Sequence, residues 1–538
     1  MTPGMQFRLW LRQAAKGQVG GAFVVVAAVV ALMVASIDRG SSHQGTAALT
    51  GDLGGTTGAV SSTTGGTVSG SGSTTGASRP GSVPAPGTST TGATTGTFTT
   101  TGGGSSTGAA ATGGSTTGSG TTGASQPGQS FNLATKTDRG VNTCGTPALC
   151  VKLGIIVAKI GGVDSSGQAL GLRTDIEKVV TALVDDQNSR GGLSGRTIVP
   201  VFRTTDPVDE GDQGKACTEM TDPKTGVFGV LDTAGFIFAA EQACLTQTNK
   251  TPYVHGYAES EGFMDAGNGY DVSETRSLDR IAIEWADEIG KLGFLKGGEK
   301  VGVLEDNCEP SHSVVDKYLL PGIKALKVAS VKTYESDCSA AYAQSQPPAL
   351  EQQMCVDGVT HVVLATSFVA AQTFLQAADG SPCGTGAAKF HYMASDYSLL
   401  AGDLFTRNFS KTQFDGSLAI TNFYTGIAKG SAQQAACSKV LRAAGLAGLD
   451  NTYPNADANA LCDYFAIFTK AALKVGPNLT RPAWAQAVQS IREFDGAFSP
   501  KSVFAPGKTS GGELVHAMVW HADCTCYRQT GPVHPGKG

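Results

Sequence analysis

The stretch Val151-Lys-Leu-Gly-Ile-Ile-Val-Ala-Lys159, followed after a glycine-bearing loop by Leu172 to Arg190 and then by Thr197-Ile-Val-Pro-Val-Phe202, decides the fold. The first segment is apolar and β-branched, as a buried strand is. From about Ala169 to Arg190, Leu172, Ile176, Val179, Val180, Leu183 and Val184 recur at helical spacing, which predicts one amphipathic helix. Gly191-Gly192 ends it, because glycine takes the left-handed conformation of a helix C-cap at little cost. Residues 197–202 form a second short strand. Strand, long helix and strand make a crossover unit, which implies parallel strands covered by helices.

The same alternation runs on from Asp206. Strands are predicted at 226–231, 252–257, 300–304, 328–334, 361–365, 390–394, 417–423 and 516–520. Helices are predicted at 212–222, 239–249, 278–292, 313–327, 343–355, 368–378, 432–444, 456–475 and 482–492. Strands alternating with helices mean an α/β fold with parallel sheets. Two such series predict two Rossmann-like lobes, the chain changing over between 258 and 299.

Asp186-Gln-Asn-Ser-Arg-Gly-Gly-Leu-Ser-Gly-Arg196, with the strand and Thr205-Asp206 that follow, resembles the first crossover unit of type I periplasmic binding proteins. Within them it is most similar to the leucine/isoleucine/valine-binding transport receptors. The order of elements over the next 320 residues fits the same family. The resemblance implies two lobes with a ligand cleft between them, no catalysis, no cofactor and no bound metal. It implies a small polar ligand, amino-acid-like or an amide, delivered to an ABC permease. The helix 462–473 also resembles the family's late tyrosine-containing helix, although core packing is the better reading for at least two of Tyr464, Phe465 and Phe468.

In an open α/β sheet, ligands collect outside the carboxyl ends of the strands. That rule nominates Lys159–Gly162, Asp232, Thr233, Tyr257 and Ala258 in the first lobe, and Asp306, Asn307, Thr366, Asp396 and Tyr397 in the second. By the resemblance, Thr233, Tyr257 and Ala258 occupy loops that hold a ligand carboxylate, and Asp396 the loop that holds a ligand ammonium. The chain departs from the family at Asp232, where small hydroxyl residues are commoner and an anion is repelled. It departs again after Asp306, where Asn307-Cys-Glu-Pro310 lacks the usual aromatic. Each carboxylate or hydroxyl has a plainer role available, capping its own loop.

Composition divides the remaining chain. Residues 40–131 are almost wholly Gly, Ser, Thr and Ala, too poor in apolar side chains to offset backbone ordering. They read as a disordered linker: a tether across a cell wall, or a plain spacer. Before it, Arg8, Arg12 and Lys16 precede an uncharged run from Val19 to Ile37. That length nearly spans a bilayer, so residues 1–39 read as a signal-anchor, with a cleaved signal ending near Val34-Ala-Ser36 as the alternative. Both export the rest: 132–528 as the binding domain, extracellular on the cell-wall side, and 529–538 as a flexible tail. The net charge of −5 and the lack of a basic stripe argue against nucleic acid.

All twelve cysteines lie from Cys144 onward. An even number behind an export signal points to disulfides. Sequential pairing gives Cys144–Cys150, Cys217–Cys244, Cys308–Cys338, Cys355–Cys383, Cys437–Cys462 and Cys524–Cys526, although the last two, in a tight C-x-C ring, could pair elsewhere. No C-x-x-C cluster calls for zinc, and no Walker A or dinucleotide fingerprint is present. Two other functions stay open: a ligand-sensing ectodomain that signals through a partner, and a wall-tethered hydrolase on the same fold.

Overall fold

A computed structural model describes residues 149–538 apart from 159–172, 207–208, 225, 234–238, 339–344, 385–388, 399, 408 and 428. The expected anchor and linker lie outside the described residues. Among the described residues no helix is long and apolar enough to cross a membrane. All of them belong to one unit, Ser119–Gly538.

The first lobe is built on β1 (Cys150–Ala158), α1 (Ile176–Ser189), β2 (Thr197–Thr205), α2 (Glu210–Thr221), β3 (Gly229–Thr233), α3 (Ala239–Ala243, extended by a wider turn over Cys244–Thr248), β4 (Tyr253–His255), α4 (Glu261–Ala266) and β5 (Asp271–Ser273). Its sheet runs β2-β1-β3-β4-β5, and every pairing is parallel. Alternate residues serve opposite faces: Leu153, Ile155 and Leu231 enter one core, Ile156 and Val230 the other. Two covered faces are why these strands read as unbroken apolar runs.

The turn after α1 explains its sequence. Asn188 lies against the start of β2 like a strand neighbour, its amide oxygen accepting from Ile198 N at 2.8 Å and its Nδ2 donating to Ile198 O at 2.9 Å. Gly192 has φ +61°, and a Cβ there would lie 2.0 Å from Arg196 O.

The second lobe follows with α5 (Leu278–Lys291), β6 (Lys300–Asp306), α6 (Ser311–Val314), a wide turn at Val315–Leu319, α7 (Leu320–Ala325), β7 (Ser330–Ser336), α8 (Pro347–Asp357), β8 (His361–Ala365), α9 (Phe368–Asp379), β9 (His391–Ser395), α10 (Asp403–Thr406), α11 (Lys411–Phe414) and β10 (Leu418–Thr421). The chain then returns to the first lobe. There α12 (Ala432–Ala443), α13 (Ala456–Val475) and α14 (Arg481–Val488) share the core of β1 and α1. A hairpin of β11 (Arg492–Phe494) and β12 (Ser502–Phe504) leads back to the second lobe, where β13 (Leu514–His521), β14 (Cys526–Gln529) and β15 (His534–Pro535) end the chain.

The second sheet is mixed, which corrects the expectation of two parallel sheets. Its order is β14-β13-β10-β9-β8-β6-β7. β13 enters from the first lobe and runs antiparallel to β10, as β14 and β15 do to β13. The expected flexible tail is docked as well. Gly536 N donates to Glu513 O at 2.9 Å, and Lys537 Nζ meets Asp287 at 2.6 Å.

Five of the expected disulfides are present: Cys217–Cys244, Cys308–Cys338, Cys355–Cys383, Cys437–Cys462 and Cys524–Cys526. Cys150 is also disulfide-bonded; its expected partner Cys144 lies outside the described residues.

Candidate functional site

Three crossings between the lobes meet beside one pocket. They are 274–277, the stretch from Asn422, and the return through 489–513. Thr275 Oγ1 donates to Asn422 at 2.6 Å, and Ser499 Oγ to Asn422 O at 3.2 Å. Phe423 and Phe498, from two different crossings, stack at 4.2 Å between centroids and form one wall.

The pocket encloses about 900 Å³ together with its open mouth. Thr233, Tyr257, Asp457 and Tyr464 reach it from the first lobe and Asp403 from the second. Tyr424, Asn451 and Asn459 add polar groups. No Lys, Arg or His occurs among the described residues that line it.

Tyr257 is held from behind. Ser273 Oγ donates to its carbonyl at 2.5 Å, and its N–H donates to His255 Nδ1 at 3.1 Å. Because Nδ1 accepts, Nε2 of His255 carries the proton it gives to Asp271, 2.8 Å away. The phenol oxygen of Tyr257 is buried and has no hydrogen-bond partner among the described residues. Opposite it, the Tyr464 hydroxyl lies so close to Gly256 that a Cβ there would stand 2.2 Å away. Only glycine lets β4 end against that ring.

The two carboxylates differ. Asp457, at the start of α13, is pushed up to about 7, first by burial and then by the charge of Asp232. Asp403 is pushed up to about 6 by burial, against the pull of a hydrogen bond from Tyr527 N at 2.8 Å. A buried carboxylate without a cation favours its neutral form.

Of the residues nominated from sequence, Thr233 and Tyr257 line the pocket. Asp232 stands behind it, accepting from Tyr253 OH at 2.6 Å. Ala258 packs against the second lobe's core. Asp306 is occupied by Thr366 Oγ1 at 2.5 Å and Ser367 N at 2.7 Å, which also accounts for Thr366. Asn307 is exposed, its N–H on Ser336 O at 2.7 Å. Tyr397 OH donates to Ser311 O at 2.7 Å. Asp396 is a correction. Both its oxygens are used, by Thr421 Oγ1 at 2.7 Å and Asn422 N at 2.6 Å, so it ties the loop after β9 to a crossing. Lys159–Gly162 lie outside the described residues. Asp403, Asp457 and the Phe423–Phe498 wall were not nominated. Asp403 comes from the short helix α10 of the second lobe, and Asp457 and the aromatic wall come with the crossings and the chain's return to the first lobe, which no local pattern announces.

This is the fold of type I periplasmic binding proteins. A periplasmic binding protein type 1 from Bordetella pertussis Tohama I superposes with TM-score 0.51 at 15% identity, over 71% of this chain and 100% of its own. A leucine-binding protein from Thermotoga maritima gives 0.55 at 13% identity, over 72% and 99%. A solute-binding protein of an ABC transporter from Rhodopseudomonas palustris, in complex with 3,4-dihydroxybenzoic acid, gives 0.54 at 12%, over 72% and 98%. Neither a family model nor a curated protein matches the chain.

Proposed function

We propose that the chain is an extracytoplasmic solute-binding protein that closes two lobes on one small ligand and presents it to an ABC permease. The observation that carries this reading is the pocket at the three crossings, lined from both lobes by carboxylates and phenols. Closure by hinge motion between two such lobes is a recognised way to engulf a solute.

The lining favours a guest with an ammonium or amide N–H group beside an apolar or aromatic body. Asp457 and Asp403 accept from the first, and Phe423, Phe498, Tyr257 and Tyr464 pack on the second. A cation over such rings gains a further attraction from their faces. The leucine-binding relative has an amino acid in its name, and an amino-acid-like solute keeps the ammonium. A bare aromatic acid, as in the Rhodopseudomonas palustris complex, is disfavoured here by two unneutralised carboxyl groups.

Mass spectrometry of solutes co-purifying with the full chain tests this, followed by thermal-shift screening of amines, amino acids, amides and short peptides. A native-state ligand raises the melting temperature by mass action. If no member of that panel moves it, the solute-binding reading fails.

A further inference from the structure

Outside the pocket, three side chains at the carboxyl ends of β6 and β7 converge without serving the fold in any evident way. Glu305 is fully buried, and among the described residues its carboxyl oxygens meet no partner closer than the long ion pair with His312. Glu335 is its register partner on the next strand, so two acidic side chains stand side by side on one face, an unfavourable arrangement by itself. His312 in α6 brings Nδ1 to 3.5 Å from Glu305 Oε2, a long ion pair, and among the described residues that nitrogen has no shorter hydrogen bond. One ligand atom from each of the three lies within 4.8 Å of the others.

We propose that Glu305, His312 and Glu335 form a binding site for a divalent transition cation of the zinc class. A buried carboxylate without hydrogen bonds is costly unless something positive meets it. One cation bound between the three gives both carboxylate oxygens and the imidazole nitrogen a closer partner than the long ion pair between them. One nitrogen and two carboxylate donors leave a fourth position for water, an arrangement zinc accepts; the imidazole disfavours calcium and magnesium. Behind the imidazole, Asp316 lies 3.6 Å from Nε2, on the side where a metal-bound histidine commonly finds a carboxylate for its other N–H. The frame is stiff. The Cys308–Cys338 disulfide joins the loops that follow the two strands, and Asn307 N donates to Ser336 O across the same gap. His312 and Glu335 are open enough to solvent for a cation to enter. Bound there, it would pin α6 to the ends of β6 and β7.

The test is isothermal titration of zinc chloride alone into the untagged full chain, stripped with EDTA, in a buffer that does not chelate. One equivalent should bind, and zinc should raise the melting temperature. His312→Ala and Glu335→Gln, at partly or fully exposed positions and so expected to fold, should each weaken binding at least tenfold and lose the thermal shift. Asp316→Asn should weaken it by roughly tenfold, as loss of a carboxylate behind a ligand does. His534→Ala, in a separate cluster with Glu284 and Glu288, should titrate as the unaltered chain does. Absence of saturable binding below roughly millimolar zinc overturns the assignment. So does a His312→Ala variant that binds normally, or loss of binding in His534→Ala.

Discussion

Asp396 and Asp457 show how two carboxyl groups of similar titration come to different uses. Burial pushes both up to about 7. Asp396 accepts two hydrogen bonds from the β10 end of a crossing, whereas Asp457 faces the pocket. Asp396→Ala strands the Thr421 hydroxyl and the Asn422 N–H, so it should cost about 1–3 kcal/mol in chemical denaturation and leave intrinsic ligand affinity unchanged. Asp457→Asn should do the reverse: stability held, and affinity for an ammonium-bearing ligand at least about tenfold weaker, the scale of one charge-assisted hydrogen bond. The pH profile gives a second readout. A cation binds the ionised carboxylate, so its affinity should rise as pH climbs through about 7 and flatten in Asp457→Asn, as calorimetry between pH 5.5 and 8.5 would show. Thr233 and Tyr257 were legible because the strand-end rule acts within a few residues of each strand. Asp396 misled because the same geometry suits a loop tie, and only its partners tell the two apart.

At the scale of elements, α13 holds the first lobe together. Its residues are buried on nearly all sides, as befits a helix that is apolar around most of its circumference. Phe465, Phe468 and Tyr464 all enter the core, and Tyr464 also lines the pocket, which agrees with core packing for at least two of the three aromatics. Against it, α14 lays Trp484, whose indole N–H donates to Phe468 O at 3.0 Å. Arg481, at the start of α14, donates to the carbonyls of Val227, Phe228 and Asn249 at 2.6, 3.0 and 3.1 Å. One guanidinium thus satisfies carbonyls on two loops that flank β3 and β4. Arg481→Met keeps much of the aliphatic stem but removes every donor. It should cost roughly 2 kcal/mol or more, since several acceptors lose a charged donor together, measured by the urea midpoint. Lysine at this position should recover only part of the loss, because an ammonium cannot span the three carbonyls as a planar fork does. The helices themselves were legible from periodicity and ended within a few residues of expectation. Their assignment to the first lobe was not, because periodicity shows that a face is apolar without showing which sheet covers it.

For the whole molecule, an acid pair binds two of the three crossings to α13. Glu274, between β5 and α5, faces Asp463 of α13; Asp463 accepts from Ala497 N and Phe498 N at 2.7 Å each, and Glu274 from Ser499 N at 3.1 Å. Two carboxylates so placed cannot both ionise, so the pair holds a proton, and burial with the nearby Asp463 charge drives Glu274 well above its ordinary value. Burial also raises Glu259 to about 8, and Asp457, Asp396 and Glu305 to about 7. A group that binds its proton more tightly folded than unfolded stabilises fully below its unfolded value and loses that contribution as pH rises through its folded value. His361, held down to about 4 by burial and His391, acts oppositely but only below its unfolded value near 6.5. Between pH 6.5 and 8.5 the carboxyl groups therefore dominate, and the melting temperature should fall as pH rises. Glu274→Gln keeps an N–H donor toward Asp463 and an oxygen for Ser499 N while removing the proton. It should raise stability already at pH 6.5, where the unfolded glutamate is ionised, and make the decline shallower. Calorimetric melting of both proteins across that range decides it: equal slopes would mean that the crossings do not hold the proton assigned to them.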